Sequence, residues 1–403
     1  MEIVILGAGQ AAAALAARLR GLGSDDAITL IGDEDAPPYQ RPPLSKGYLL
    51  GEMGLERLVL RADDWWRDQN IRLLTGTRAH RIDPARRIVE TGAGPVAYDR
   101  LALTLGALPR PLPAAMGGDL GGVHHIRNLG DIARLRPELV AGRNLVVIGG
   151  GYIGLEAAAV ARKLGLHVTV VEAAARILGR VAAPETAAMI RALHVAHGTD
   201  ILENTAVEAL EGTTSVVRVR LADGTSLPAD LVVAGIGVTP ETALAEAAGL
   251  AIDNGIACDA RGRTSAPDIW AAGDCASFPV QGGRIRLESV GNAIDMGECV
   301  AADMLGQGTD YLPRPWFWSD QYDAKLQIAG LGTGYDQIVT RPPEGGVTGA
   351  GGSVWYYRAG RLIAVDALNE PRAYMVGKRL IEAGRSPEPA LLADPATPLK
   401  ALL

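Results

Sequence analysis

The sequence predicts an α/β chain in which one strand–turn–helix–strand unit occurs twice, followed by a C-terminal α+β segment. Three observations carry this. The opening run EIVILGAG returns at residues 144–151 as NLVVIGGG. Each run leads into an Ala-rich helix former and then a second apolar strand ending in acids, AITLIGDED and HVTVVEAA. From about residue 311 the pattern changes to strand-like, aromatic-rich runs, WFWSDQYDAKLQIAGL and SVWYYRAGRLIAVDAL, with a helix expected near 371–384.

The first unit carries Gly7-Ala8-Gly9-Gln10-Ala11-Ala12. Gly7 permits a tight turn, Gly9 lets the backbone approach a pyrophosphate, and small Ala12 lets helix and strand pack closely. The helix N-terminus then faces the phosphates. Asp33 and Glu34 end the next strand, where an acid meets a ribose hydroxyl. The second unit carries Gly149-Gly150-Gly151-Tyr152-Ile153-Gly154, and Glu172 ends its second strand. A carboxylate there accepts from both ribose hydroxyls and repels a 2′-phosphate, which favours NADH over NADPH. Two such fingerprints make both units Rossmann-like and imply two dinucleotides, FAD as the resident and NADH as the exchanging one. A third cluster, Ile269-Trp270-Ala271-Ala272-Gly273-Asp274, suits an Asp set against the ribityl and phosphate region of a flavin.

Residues 36–50, APPYQRPPLSKGYLL, are too Pro-rich for a simple helix or a central strand and read as a functional loop. The net charge is −7, with no long single-sign run, which argues against a nucleic-acid binder. No apolar run reaches transmembrane length, and a cytoplasmic protein is expected, monomeric or weakly dimeric. The three cysteines, Cys258, Cys275 and Cys299, form no closely spaced pair and read as small buried apolar residues. No Cys/His cluster points to a metal.

The stretches RPPLSKGYL, LVVIGGGYIGLE, ADLVVAGIGVTP, AAGDC, ESVGNA, PWFWSDQY and ADPATPLK make the chain resemble, nearly end to end, the FAD-containing NADH:ferredoxin reductases of bacterial oxygenase systems, the putidaredoxin reductase type. One departure is Leu105, where the family usually has Thr in its ATG motif. The resemblance implies a glutathione-reductase-like fold, with an FAD domain at 1–110 and 244–312, an NADH domain at 111–243 and an interface domain at 313–403. It places Arg41 on the FAD pyrophosphate, Lys46 near the reactive flavin nitrogen with Glu156 as its partner, Asp274 on the ribityl chain, and the Val290 backbone at the pyrimidine edge. Trp318 would lie near the ring and the Ala79 backbone would hold the adenine, with Ala11 and Arg127 also assigned to FAD. Ile153, Arg180, Gly235, Ile236 and Gly237 are assigned to NADH. A buried Lys does need a carboxylate partner, and a cation beside the ring stabilises negative charge on it. Tyr152 either gates the nicotinamide site or packs under its helix.

The expected partner is a two-iron ferredoxin, usually acidic, so docking requires a local basic patch. Arg61, Arg284, Arg286, Arg314 and Lys325 are the candidates. Other readings within the fold are a rubredoxin reductase or an NADH oxidase. From another class comes a non-catalytic NADH-binding signalling flavoprotein.

Overall fold

The runs EIVIL and NLVVI have no polar face, as strands buried on both sides require. Both become the central strand of a parallel sheet. The computed structural model describes residues 1–280, 282–343 and 351–403. Its contacts group the chain into two units: residues 1–41, 54–108 and 238–315, and residues 42–53, 109–237 and 316–403.

In the first unit the parallel strands lie in the order Ile269–Ala271, Arg100–Leu103, Glu2–Leu6, Ala27–Ile31, Ile71–Leu74. Glu2–Leu6 therefore has neighbours reached by connections running to opposite sides, the switch point at which such sheets bind ligands. The helix Gln10–Gly21 follows the first strand and buries Leu15 and Leu19 completely, each worth about 1.5–3 kcal/mol. The helix Val290–Met304 crosses it so closely that a Cβ on Gly297 would stand 2.7 Å from the Ala11 carbonyl oxygen. Two small sheets accompany the parallel core: an antiparallel one of Ala79–Asp83, Ile88–Thr91 and Gly94–Ala97, and a mixed one of Ile256–Ala257, Ala276–Val280 and Gly283–Ile285.

The second unit repeats the plan. Its parallel order is Asp200–Leu202, His167–Val171, Asn144–Ile148, Leu231–Ala234, Val123–His124, again with the first fingerprint strand central. The aromatic-rich runs form a five-stranded antiparallel sheet in the order Trp316–Gln321, Ala324–Gly330, Arg361–Leu368, Gly352–Arg358, Gln337–Arg341. The expected helix is Pro371–Glu382, which starts at a proline free of any need to donate and packs on that sheet through Tyr374, Val376 and Leu380. The ADPATPLK tail is fastened by one buried side chain. Arg341 donates to the carbonyl oxygens of Leu392, Asp394, Pro395 and Thr397 at 2.7–3.3 Å. Among the described residues no helix is long and apolar enough to cross a membrane.

Candidate active site

In the first unit Gly7 and Gly9 serve different ends. Gly7 has φ +97°, and a Cβ there would stand 2.3 Å from the Thr104 carbonyl oxygen, so the fold itself demands glycine. A Cβ on Gly9 would meet nothing within 4 Å. No protein atom needs that glycine, and the space in front of it suits a bound group. The helix it heads carries no side-chain cap and no acid in its first turn, leaving its N-terminal N–H groups and dipole to an anion. Gly273, at φ +79°, brings Asp274 beside this helix, with its missing Cβ 3.2 Å from that of Ala11. Val290 opens the helix Val290–Met304, whose Ser289 cap accepts from the Asn292 N–H.

Asp33 is exposed. Glu34 accepts from the Tyr39 hydroxyl and from Arg41, both at 2.6 Å, and Arg41 also donates to the Tyr39 oxygen at 3.0 Å. Arg41 and Glu34 are thus held to each other. Ala79 begins its strand opposite Thr91. Of the candidate docking cations in this unit, Arg61 lies over the Trp65 ring. Arg284 and Arg286 are instead taken into the fold. Arg284 donates to the carbonyls of Cys258 and Ser277 and pairs with Asp253. The Arg286 side chain is only 10% exposed, pairs with Glu288 at 2.6 Å and donates to the Asp274 carbonyl. It braces the Asp274 turn and offers little charge to a partner.

The second unit repeats the glycine logic. Cβ atoms on Gly149 and Gly154 would stand 2.5 Å from the Gly235 oxygen and 2.3 Å from the Gly149 oxygen, whereas Gly151 has its nearest neighbour at 3.9 Å. The helix Tyr152–Lys163 also lacks a side-chain cap. The Glu172 carboxylate accepts from the Gly150 and Ala174 N–H groups, both at 2.7 Å. Each oxygen keeps lone-pair capacity for a hydroxyl donor. The Gly235–Ile236–Gly237 stretch follows the strand Leu231–Ala234, and the guanidinium groups of Arg180 and Arg110 stand beside Gly237. Ile153 is exposed at the head of the helix. Arg127 precedes the helix Leu129–Leu135, with its N–H on Asp131.

The same helix carries Glu156, buried at 3% exposure, one turn in. Lys46 donates to it at 2.7 Å, Ser45 at 2.5 Å and Ser319 at 2.6 Å. Lys46 is presented between a 3₁₀ turn, Pro42–Ser45, and the short helix Gly47–Leu50, and also donates to the Pro42 carbonyl at 3.2 Å. Burial pushes the Glu156 carboxyl above its ordinary value, while Lys46, Ser319 and Ser45 pull it down. Ser45 and Ser319 are site residues missed by motif reading. The available signal was a serine two residues from a glutamine, on one face of a strand that opens with three aromatics.

That strand's alternation sorts the aromatic triplet. Trp316 and Trp318 stack on one face at 5.5 Å. Phe317 shares the other face with Ser319 and packs on Tyr152, 4.7 Å between ring centroids. Tyr152 therefore packs beneath the strand. Its hydroxyl is buried and has no partner among the described residues, a donor left over for a bound group.

Two family models divide the chain. One, described as pyridine nucleotide-disulphide oxidoreductase, matches residues 1–297, and a second, reductase C-terminal, matches 316–403. The chain belongs to the pyridine nucleotide-disulphide oxidoreductases. Within that family it is 43% identical to putidaredoxin reductase CamA of Pseudomonas putida, over all of this chain and 96% of the relative. It is 40% identical to the ferredoxin–NAD(+) reductase component of the anthranilate 1,2-dioxygenase system of Burkholderia cepacia, covering 99% of this chain and 98% of that one. The solved covalent putidaredoxin reductase–putidaredoxin complex contains a chain matching at TM-score 0.94, over 100% of this chain and 97% of that one. The fold is glutathione-reductase-like. The disulphide of the family name has no counterpart among the described residues. All three cysteines are free, and burial pushes the thiols of Cys258 and Cys275 up to about 12 and about 11. Among the described residues no group of three or more His, Cys, Asp or Glu side chains could hold a metal ion.

Proposed function

We propose that this chain is a cytoplasmic NADH:ferredoxin reductase that binds FAD on residues 1–110 and 244–312 and NADH on 111–243, with 313–403 as the interface domain. Its partner is a two-iron ferredoxin feeding a bacterial oxygenase. The observation that carries the reading is the Lys46–Glu156 pair, in which Glu156 is buried and Lys46 comes from a loop that contains no cysteine. A disulphide reductase passes electrons through a cysteine pair. The lack of such a pair beside two dinucleotide cradles supports direct transfer to a protein partner. The names of its full-length relatives support the same reading.

Bound FAD supplies the chemistry, accepting two electrons as a hydride and releasing them singly. The protein's part is placement and charge. The open fronts of Gly9 and Gly151, with the uncapped helices behind them, take the two pyrophosphates. Glu172 takes the ribose hydroxyls of NADH. Asp274 takes the ribityl chain, with Arg286 bracing its turn. Lys46 holds a positive charge beside the ring, and Glu156 keeps that ammonium in place by a charge-assisted bond.

The test is NADH-dependent reduction of cytochrome c with and without an added two-iron ferredoxin. Fast turnover only with the ferredoxin is expected. Negligible turnover in its presence, with a long-lived flavin–NAD complex, would reject the reading.

A further inference from the structure

Behind the Lys46–Glu156 pair runs a line of polar side chains with no part in the function proposed above. Glu156 Oε1 accepts from the Ser319 hydroxyl at 2.6 Å, and Ser319 accepts from the Gln321 amide at 3.0 Å. The Gln321 carbonyl oxygen is 2.7 Å from His194 Nε2. His194 Nδ1 lies 3.5 Å from the Tyr322 hydroxyl, which is 2.9 Å from that of Thr199. The Tyr322 ring stacks on exposed His197 at 3.8 Å. Glu156, Ser319, Gln321 and His194 are all buried. A buried polar chain of this length is tolerated only when every member is satisfied, and its bonds strengthen one another.

The end of the chain sets its polarity. An ionised Glu156 only accepts, so Ser319 donates to it and takes its own hydrogen bond from the Gln321 NH₂ group. Gln321 then turns its carbonyl to His194, whose Nε2 must carry the proton. Nδ1 is left as an acceptor for Tyr322. A protonated Glu156 would reverse these roles. The groups around the imidazole are His197, which caps the C-terminus of the helix Pro184–Ala196 that carries His194, then Gln321, Tyr322 and Thr199, with Arg162 beyond Tyr322, donating to the His197 carbonyl at 3.1 Å. Burial first, and His197 in addition, bring the imidazole down to about 4, so it stays neutral near pH 7.

We propose that His194 is a positioning residue for Glu156, acting through Gln321 and Ser319 to hold the carboxylate ionised and aimed at Lys46. Its meaning for turnover rests on the reading that this pair serves the flavin, and the test separates the two. Nitrogen NMR of histidine-labelled holoenzyme reads the tautomer directly. His194 is expected to keep a protonated Nε2 and a bare Nδ1 between about pH 5.5 and 8. Glu156→Gln, whose amide can donate to Ser319, is expected to displace those signals. A mixed tautomer, or indifference to Glu156→Gln, overturns the proposal, and this arm needs no substitution of His194.

The second arm follows the Glu156 carboxyl by infrared titration, with its band identified by loss in Glu156→Gln. His194→Phe is expected to raise its apparent pKa by about one unit, a tenfold gain in proton affinity. His194→Gln, which returns an N–H near the Nε2 position, is expected to restore it. A folded His194→Phe protein with an unmoved Glu156 band overturns the proposal. Stopped-flow flavin reduction in Lys46→Met tests the underlying reading by itself. An unchanged rate there rejects the flavin role of the pair, whatever the NMR and infrared arms give.

Discussion

Gly7 and Gly9 stand two residues apart yet answer to different constraints, and substitution should separate them. Gly9→Ala meets no protein atom within 4 Å, so the apoprotein should unfold within about 0.5 kcal/mol of the parent. Its FAD affinity, by fluorescence titration, should fall at least about tenfold as the methyl enters pyrophosphate space. Equal FAD affinity would show that the space is not the ligand's. Glu172→Ala should lose about 1–3 kcal/mol of kcat/KM for NADH while NADPH loses less, since both ribose contacts and the repulsion disappear together. An unchanged ratio of kcat/KM for the two nucleotides would remove Glu172 from the ribose. His194 makes a stability prediction with a definite sign. Its folded value of about 4 lies below the unfolded 6.5. Its contribution is therefore complete above pH 6.5 and is lost as pH falls toward 4, because the unfolded chain takes up the proton first. Buried Asp366, raised to about 6, titrates in the same window with the opposite sign, so the difference between parent and variant is what isolates His194: in urea unfolding the parent should lose up to about 3 kcal/mol relative to His194→Gln across that window.

Single elements show how far the sequence could be read. Both cradles were legible because glycine spacing, strand and helix occupy one short window. Lys46 and Glu156 could be matched because both lie in distinctive motifs. Ser45, Ser319 and the Gln321–His194 line could not, since each contact joins residues more than a hundred positions apart. Arg286 illustrates the converse. It lies between a strand and a helix, where no periodicity dictates side-chain direction, and the fold turned it inward to the Asp274 turn. The tail offers a test at this scale. Arg341 holds four carbonyl oxygens of residues 392–397, so Arg341→Met should cost about 2–4 kcal/mol by leaving several of them unsatisfied. Limited proteolysis should then cut near residue 392 well before the rest of the chain. A tail as resistant as the parent's would mean that its apolar contacts, Leu392, Leu399 and Leu402, suffice.

At the scale of the whole molecule, a net charge of −7 must be reconciled with an acidic ferredoxin. Arg284 and Arg286 are engaged within the fold, which leaves Arg61, Arg314 and Lys325 as the exposed candidates. If they steer the partner, the association rate should fall steeply with salt, because screening acts within about 10 Å at 0.1 M. Flavin reduction by NADH should change far less. Charge reversal at Lys325 should raise the KM for ferredoxin alone, and equal salt sensitivity in both half-reactions would count against steering. The doubled plan of the chain has a different consequence. The two cradles differ at their third small residue, Ala12 in one and Gly154 in the other. A methyl on Gly154 would collide with the Gly149 oxygen at 2.3 Å, while Ala12 already carries one. Drift between the copies is therefore one-way: glycine can enter the first at a helix-propensity cost of about 1 kcal/mol, but alanine cannot enter the second. Descendants of such a chain would keep an invariant glycine in the nicotinamide half and a variable small residue in the flavin half.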